Sequence, residues 1–90
     1  MNLEGKTFAV TGGASGIGRA TVATLCKARA TVFFGDINEE GGAETASQAG
    51  SGANFIPLDI TSDESIANFA GTAMEAGQVD GVVNVAGWDI

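Results

Sequence analysis

Four short runs rich in β-branched or aromatic residues punctuate this chain: "TFAVT" at 7–11, "TVFFG" at 31–35, "NFIPL" at 54–58 and "GVVNV" at 81–85. Helix-like stretches fill the three gaps between them. Strands that alternate with helices read as consecutive βαβ units, and such units build a parallel sheet. The first, second and fourth runs are almost continuously apolar, as strands covered on both faces are. The third carries Pro57, which cannot donate to a ladder, so that strand belongs at an edge. Right-handed crossovers put the first two helices on one face of the sheet and the third on the other.

The third helix, expected over 62–76, has the clearest pattern. Ile66, Phe69, Ala70, Ala73 and Met74 form one apolar stripe at helical spacing. Thr61 with Glu64 fits a capping box at its start, and Gly77 fits the left-handed residue at its end. The middle helix, 39–49, contains Gly41 and Gly42, each costing about 1 kcal/mol relative to alanine. Asn38 as cap and Glu39 and Glu40 in the first turn partly offset that cost. No repeat, linker or low-complexity tract divides the sequence, so residues 1–90 read as a single domain.

"VTGGASGIGRA" joins the first strand to the first helix. A helix N-terminus offers unpaired N–H groups and partial positive charge, so a phosphate can sit there where no Cβ blocks its approach. Glycines at 16 and 18 remove that block. A nucleoside-triphosphate loop shares the G-x4-G spacing of Gly13 and Gly18. Arg19 and Ala20 stand where that loop needs lysine and a magnesium-binding hydroxyl, which excludes it. Dinucleotide binding instead needs an acidic residue at the end of the second strand, roughly 20 residues on, to accept from an adenosine ribose. Asp36 stands there, eighteen residues after Gly18.

With these features the chain resembles the short-chain dehydrogenase/reductase family over all 90 residues. "TGGASGIG" is similar to that family's T-G-x-x-x-G-I-G loop, "LDIT" to its aspartate after the third strand, and "NVAG" to its N-N-A-G stretch after the fourth. The resemblance implies a partial Rossmann fold, an α/β structure whose four-stranded parallel sheet runs in order 3-2-1-4 with three helices. NAD is the expected cofactor in preference to NADP, because none of Asp36, Ser15 and Ile37 offers positive charge to a ribose 2′-phosphate. By the same resemblance Gly12, Ser15, Gly16, Ile17 and Gly18 surround the pyrophosphate, and Asp36 with Ile37 holds the adenosine ribose. Asp59 meets the adenine amino group with Ile60 beside it, while Asn84, Ala86 and Gly87 lie along the ribose toward the nicotinamide. Two positions depart from the pattern. Val85 replaces the second asparagine, and Arg29 replaces the glycine usual between first helix and second strand, where a left-handed backbone is expected.

The family's chemistry is hydride transfer between nicotinamide and an alcohol or carbonyl carbon, with its catalytic serine and Y-x-x-x-K motif lying beyond the matched third. The sequence has no tyrosine and no histidine, and its lysines are Lys6 and Lys27. No catalytic residue is therefore assigned, and the chain is expected to be inactive alone as the cofactor-binding portion of a longer oxidoreductase. The alternative is a stand-alone module that binds dinucleotide or self-associates. Eleven acidic against four basic side chains give a net charge of −7, which repels phosphate backbones and anionic lipid heads. Neither nucleic acid nor membrane is an expected partner. A single cysteine without histidine provides no disulfide and no zinc-ligand set. No leader or membrane-length apolar run is evident, so the cytoplasm is the expected compartment. One helix cannot cover four strands, so Val82, Val83 and Val85 are expected to present bare apolar surface beside an open strand edge. A homo-oligomer joined through residues 81–90 is the expected consequence.

Overall fold

The computed structural model describes residues 2–14 and 16–85. Its elements follow the alternation of the sequence: β1 Thr7–Thr11, α1 Gly16–Lys27, β2 Thr31–Asp36, α2 Glu39–Ala49, β3 Ala53–Pro57, α3 Asp63–Glu75 and β4 Gly81–Asn84. The sheet is parallel throughout, in order β3-β2-β1-β4. Pro57 closes β3 at the sheet edge, opposite Asp36.

Strand alternation divides the core into two layers. Val10, Val32 and Phe34 face α1 and α2, packing with Val22 and, at the margins, with Leu25, Cys26, Ala46 and Ala49. Phe34 is fully buried, worth about 1.5–3 kcal/mol, and its ring meets that of Phe55 at 5.4 Å between centroids. Ala9, Ile56, Leu58 and Phe69 form the opposite layer under α3. Burial holds the Cys26 thiol above its ordinary pKa, in keeping with a residue that packs and does not react.

Three details differ from the sequence reading. The cap of α3 is Ser62, whose Oγ accepts from the Ser65 N–H. Thr61 is not available as the cap because its N–H and hydroxyl both donate to Asp59 Oδ1. The stripe of α3 is only half used. Phe69 and Ala73 are buried, but Ile66 is 42% and Met74 66% exposed. A helix is about 10 Å across and strands lie about 4.8 Å apart, so one helix covers roughly two strands. Finally, β4 does not present all its valines. Val83 packs against the α1/α2 layer, while Val82, facing the α3 side, stays 68% exposed. Gly77 does adopt a positive φ of 118° after α3, and Arg29 is left-handed at φ 76°.

Candidate functional site

Parallel strands deliver their C-terminal ends to one end of the sheet, where ligands of open α/β sheets bind. A cavity of about 290 Å³ lies there, lined by Gly12, Gly35, Asp36, Ile37, Leu58, Asp59, Ile60 and Thr61. Five of the residues singled out from the sequence, Gly12, Asp36, Ile37, Asp59 and Ile60, are thus brought together from the ends of three strands. Ile37 and Ile60 are exposed at its rim, so the cavity combines apolar flanks with two carboxylates.

The glycine loop is laid across the end of β2 by its own backbone. The N–H groups of Gly12 and Gly13 both donate to the Gly35 carbonyl, at 2.7 and 3.2 Å. Gly16 opens α1 with φ 59° and has no neighbouring atom within 4 Å of a built Cβ. Gly18 is constrained from the inside: a Cβ there would lie 1.7 Å from the Gly12 carbonyl oxygen. Its missing side chain lets α1 start hard against the loop, one of the roles such a glycine has in dinucleotide folds. The first turn of α1 carries no acidic residue, so the positive end of the helix is not neutralised by its own side chains. Ile17 is 75% exposed on the outer side of α1, in a groove with Ala20, Thr21, Thr24 and Leu25.

Asp36 is held on both oxygens. Oδ2 accepts from the Ala14 N–H at 3.0 Å and Oδ1 from the Asn38 N–H at 2.9 Å. Asp59 accepts on Oδ1 from the Thr61 N–H at 2.9 Å and from the Thr61 hydroxyl at 2.6 Å. These bonds, the hydroxyl's foremost, hold its carboxyl below the ordinary aspartate pKa. Among the described residues Oδ2 of Asp59 is left to solvent. Asn84 lies in an adjoining hollow of about 270 Å³ with Thr11, Leu58, Ile60, Ile66 and Phe69, where its Oδ1 accepts from the Thr11 hydroxyl at 2.6 Å. Leu58 and Ile60 line both spaces, so the two adjoin. Ser15, Ala86 and Gly87 lie outside the described residues.

Sequence reasoning took Thr61 as a helix cap and not as a partner of Asp59, although the D-x-T spacing of "LDIT" signals a hydroxyl returning to its aspartate. It also used Arg19 only to exclude a triphosphate loop. In the structure the Arg19 guanidinium spans α1, α2 and the glycine loop, and no signal in the sequence pointed to that. Among the described residues no group of three potential ligands could hold a metal ion, and no helix is long and apolar enough to cross a membrane.

The profile described as short chain dehydrogenase matches residues 6–90. A 2,5-dichloro-2,5-cyclohexadiene-1,4-diol dehydrogenase of Sphingobium indicum is 43% identical over 86 residues, covering 94% of this chain and 34% of its own. A short-chain type dehydrogenase/reductase from Mycobacterium ulcerans superposes with a TM-score of 0.89 at 28% identity, over 94% of this chain and 34% of that one. A 3-ketoacyl-(acyl-carrier-protein) reductase from Brucella melitensis, crystallised with NADH, superposes with a TM-score of 0.84 at 28% identity, over 90% of this chain and 34% of that one. The chain spans about a third of the length of these relatives.

Proposed function

The chain belongs to the short-chain dehydrogenase family, and we propose that it binds the adenosine diphosphate half of NAD as the cofactor-binding portion of an oxidoreductase. The carrying observation is the single cavity that gathers Gly12, Asp36, Ile37, Asp59 and Ile60. In this reading Asp36 and Ile37 hold the adenosine ribose, and the adenine lies between the Ile37 and Ile60 rims with its amino group toward Asp59. The pyrophosphate is surrounded by Gly12, Ser15, Gly16, Ile17 and Gly18 of the family's loop, of which Gly16, Ile17 and Gly18 open α1. Asn84, Ala86 and Gly87 continue toward the nicotinamide. A bound nicotinamide supplies or accepts a hydride, and the reaction served is oxidation of an alcohol or reduction of a carbonyl in a longer protein. The 90 residues contain no tyrosine to exchange the substrate proton.

NAD is favoured over NADP because, among the described residues, no cation lines the cavity while two carboxylates do. At about 5 Å and an effective dielectric near 20, each unit of like charge between Asp36 and a ribose 2′-phosphate costs roughly 3 kcal/mol. Calorimetric titration should give tighter binding of NADH than of NADPH. Equal or tighter binding of NADPH would refute the assignment.

A homo-oligomer joined at β4 is proposed on the exposure of Val82 and the open side of β4. Val85 N–H donates to the Thr11 carbonyl, so by the two-residue period Val83 faces β1 while Val82 and Asn84 turn their N–H groups outward. Val82→Lys should raise the monomer fraction in analytical ultracentrifugation. An assembly unchanged by it would mean that copies meet elsewhere.

A further inference from the structure

Arg19 does not line the cavity, yet it closes a ring of hydrogen bonds around the residue that meets the ribose. Its Nη2 donates to the Ala14 carbonyl at 2.6 Å. The Ala14 N–H donates to Asp36 Oδ2, and Asp36 Oδ1 accepts from the Asn38 N–H. Asn38 Oδ1 accepts from the Gly41 N–H at 3.0 Å, and the Gly41 carbonyl returns to Arg19 Nη2 at 3.3 Å. The guanidinium is anchored from outside the ring by its Nε bond to Thr45 Oγ1 at 2.9 Å and by Glu44 Oε1 at 3.3 Å. Thr45 is 1% exposed, so this anchor is itself packed in place.

A carboxylate offers about four lone-pair directions. The Ala14 and Asn38 amides occupy one on each oxygen, which fixes the carboxylate plane and the directions of the two that remain. Gly12 and Gly13 are tied to Gly35 by their own N–H groups, so the start of the loop does not need Arg19. Ala14 is the point where the side chain acts, since its carbonyl takes the guanidinium while its amide faces Asp36.

We propose that Arg19 is a positioning residue for cofactor choice, holding Asp36 through Ala14 in the orientation that accepts from a vicinal ribose diol and opposes a 2′-phosphate. The inference rests on the adenosine reading of the cavity. It also explains what a cation joined to Asp36 through Ala14 does outside the cavity: its Nε and Nη2 donors are taken by Thr45, Ala14, Gly41 and Glu44.

The test is calorimetric titration of ADP-ribose and 2′-phospho-ADP-ribose against the 90-residue chain, Arg19→Met and Arg19→Lys. Preference for ADP-ribose should fall at least about tenfold in Arg19→Met, the effect of one misplaced hydrogen bond to a charged group. Arg19→Lys, which keeps the charge without the fork, should lose part of the preference in the same direction. The sign separates this from simple electrostatics, because removing a positive charge alone weakens the phosphorylated ligand more and widens the preference. A wider preference, or an equal loss for both ligands with lower thermal stability, overturns the proposal. Amide exchange at Ala14, measured without ligand, gives a second readout: it should quicken in both variants relative to the core amides of β2, and unchanged exchange overturns the tether. If the unaltered chain binds neither ligand, the adenosine reading fails and takes this proposal with it. The exchange experiment still shows in that case whether Arg19 holds Ala14.

Discussion

Alanine in place of glycine within a helix stabilises by about 1 kcal/mol when nothing opposes it, and this chain offers the same substitution in two opposed settings. Gly71, on the exposed side of α3, has no atom within 4 Å of a built Cβ and is not among the positive-φ glycines. Gly42, buried in α2, would place its Cβ 2.3 Å from Cε1 and 2.5 Å from Cδ1 and Cζ of Phe55. Carbon atoms pack at about 3.5–4.0 Å, so the Phe55 ring must retreat by more than an ångström. That retreat strains the site by about 1–3 kcal/mol and loosens the ring from Phe34, a contact worth about 0.5–1.5 kcal/mol. Against the helical gain of about 1 kcal/mol, Gly42→Ala should destabilise by about 0.5–3.5 kcal/mol. Gly71→Ala should stabilise by about 1 kcal/mol. Each kcal/mol moves the melting midpoint of a domain this size by about 4–8 °C, so thermal and urea unfolding followed by circular dichroism should shift in opposite directions. Adding Phe55→Leu should recover part of the Gly42→Ala loss, because the two changes share one contact. If Gly42→Ala raises the midpoint, the closeness of α2 to β3 is not what demands the glycine, and the reasoning fails.

Two further outcomes follow from backbone and charge. Arg29→Gly should stabilise the fold by about 1 kcal/mol and so raise the denaturation midpoint, since the left-handed φ of 76° penalises a side chain, and the pairing with Glu4 at 3.9 Å between two exposed groups offsets little. Thr61→Val should raise the Asp59 pKa, read by carboxyl NMR titration, because the hydroxyl is the main group holding it down. A depressed folded pKa stabilises above the ordinary aspartate value and loses that contribution as pH falls through the folded one. The variant should therefore lose stability relative to the parent chain at neutral pH and converge with it in acid.

What the sequence made legible was whatever one stretch decides by itself. The four apolar runs marked four strands, and Pro57 put β3 at the edge because a missing N–H means the same thing in any fold. Asp36 and the glycine turn were readable because a fixed spacing brings a strand end back over its neighbour. The cap of α3 was misplaced by one residue because Thr61 and Ser62 are both competent caps, and only the Asp59 carboxylate, which claims Thr61, decides between them. The apolar stripe of α3 promised burial for Ile66 and Met74, but burial depends on what lies opposite, and the width of one helix settled that. Arg19 was invisible for the same kind of reason, since its acceptors are spread from Ala14 to Thr45 and converge only when α1 and α2 lie side by side.

The glycine pair of α2 ties these threads together. In sequence Gly41 and Gly42 look like a defect, two poor helix formers in a row near the N-terminus. In the structure a Cβ on Gly41 would lie 2.8 Å from Asn38 Nδ2 and 3.0 Å from the Ala14 carbonyl oxygen, and one on Gly42 would enter the Phe55 ring. Their absence lets the first turn of α2 settle against the glycine loop and β3 at once, and only that closeness lets Gly41 and Ala14 share one guanidinium. Local preference and global fold conflict here by about 2 kcal/mol, and such conflicts are expected where a site demands its own geometry. The weakest helix signal in the chain therefore lies beside Asp36, because the carboxylate proposed to meet the ribose can be gripped from two sides only if α2 comes close enough to help hold it.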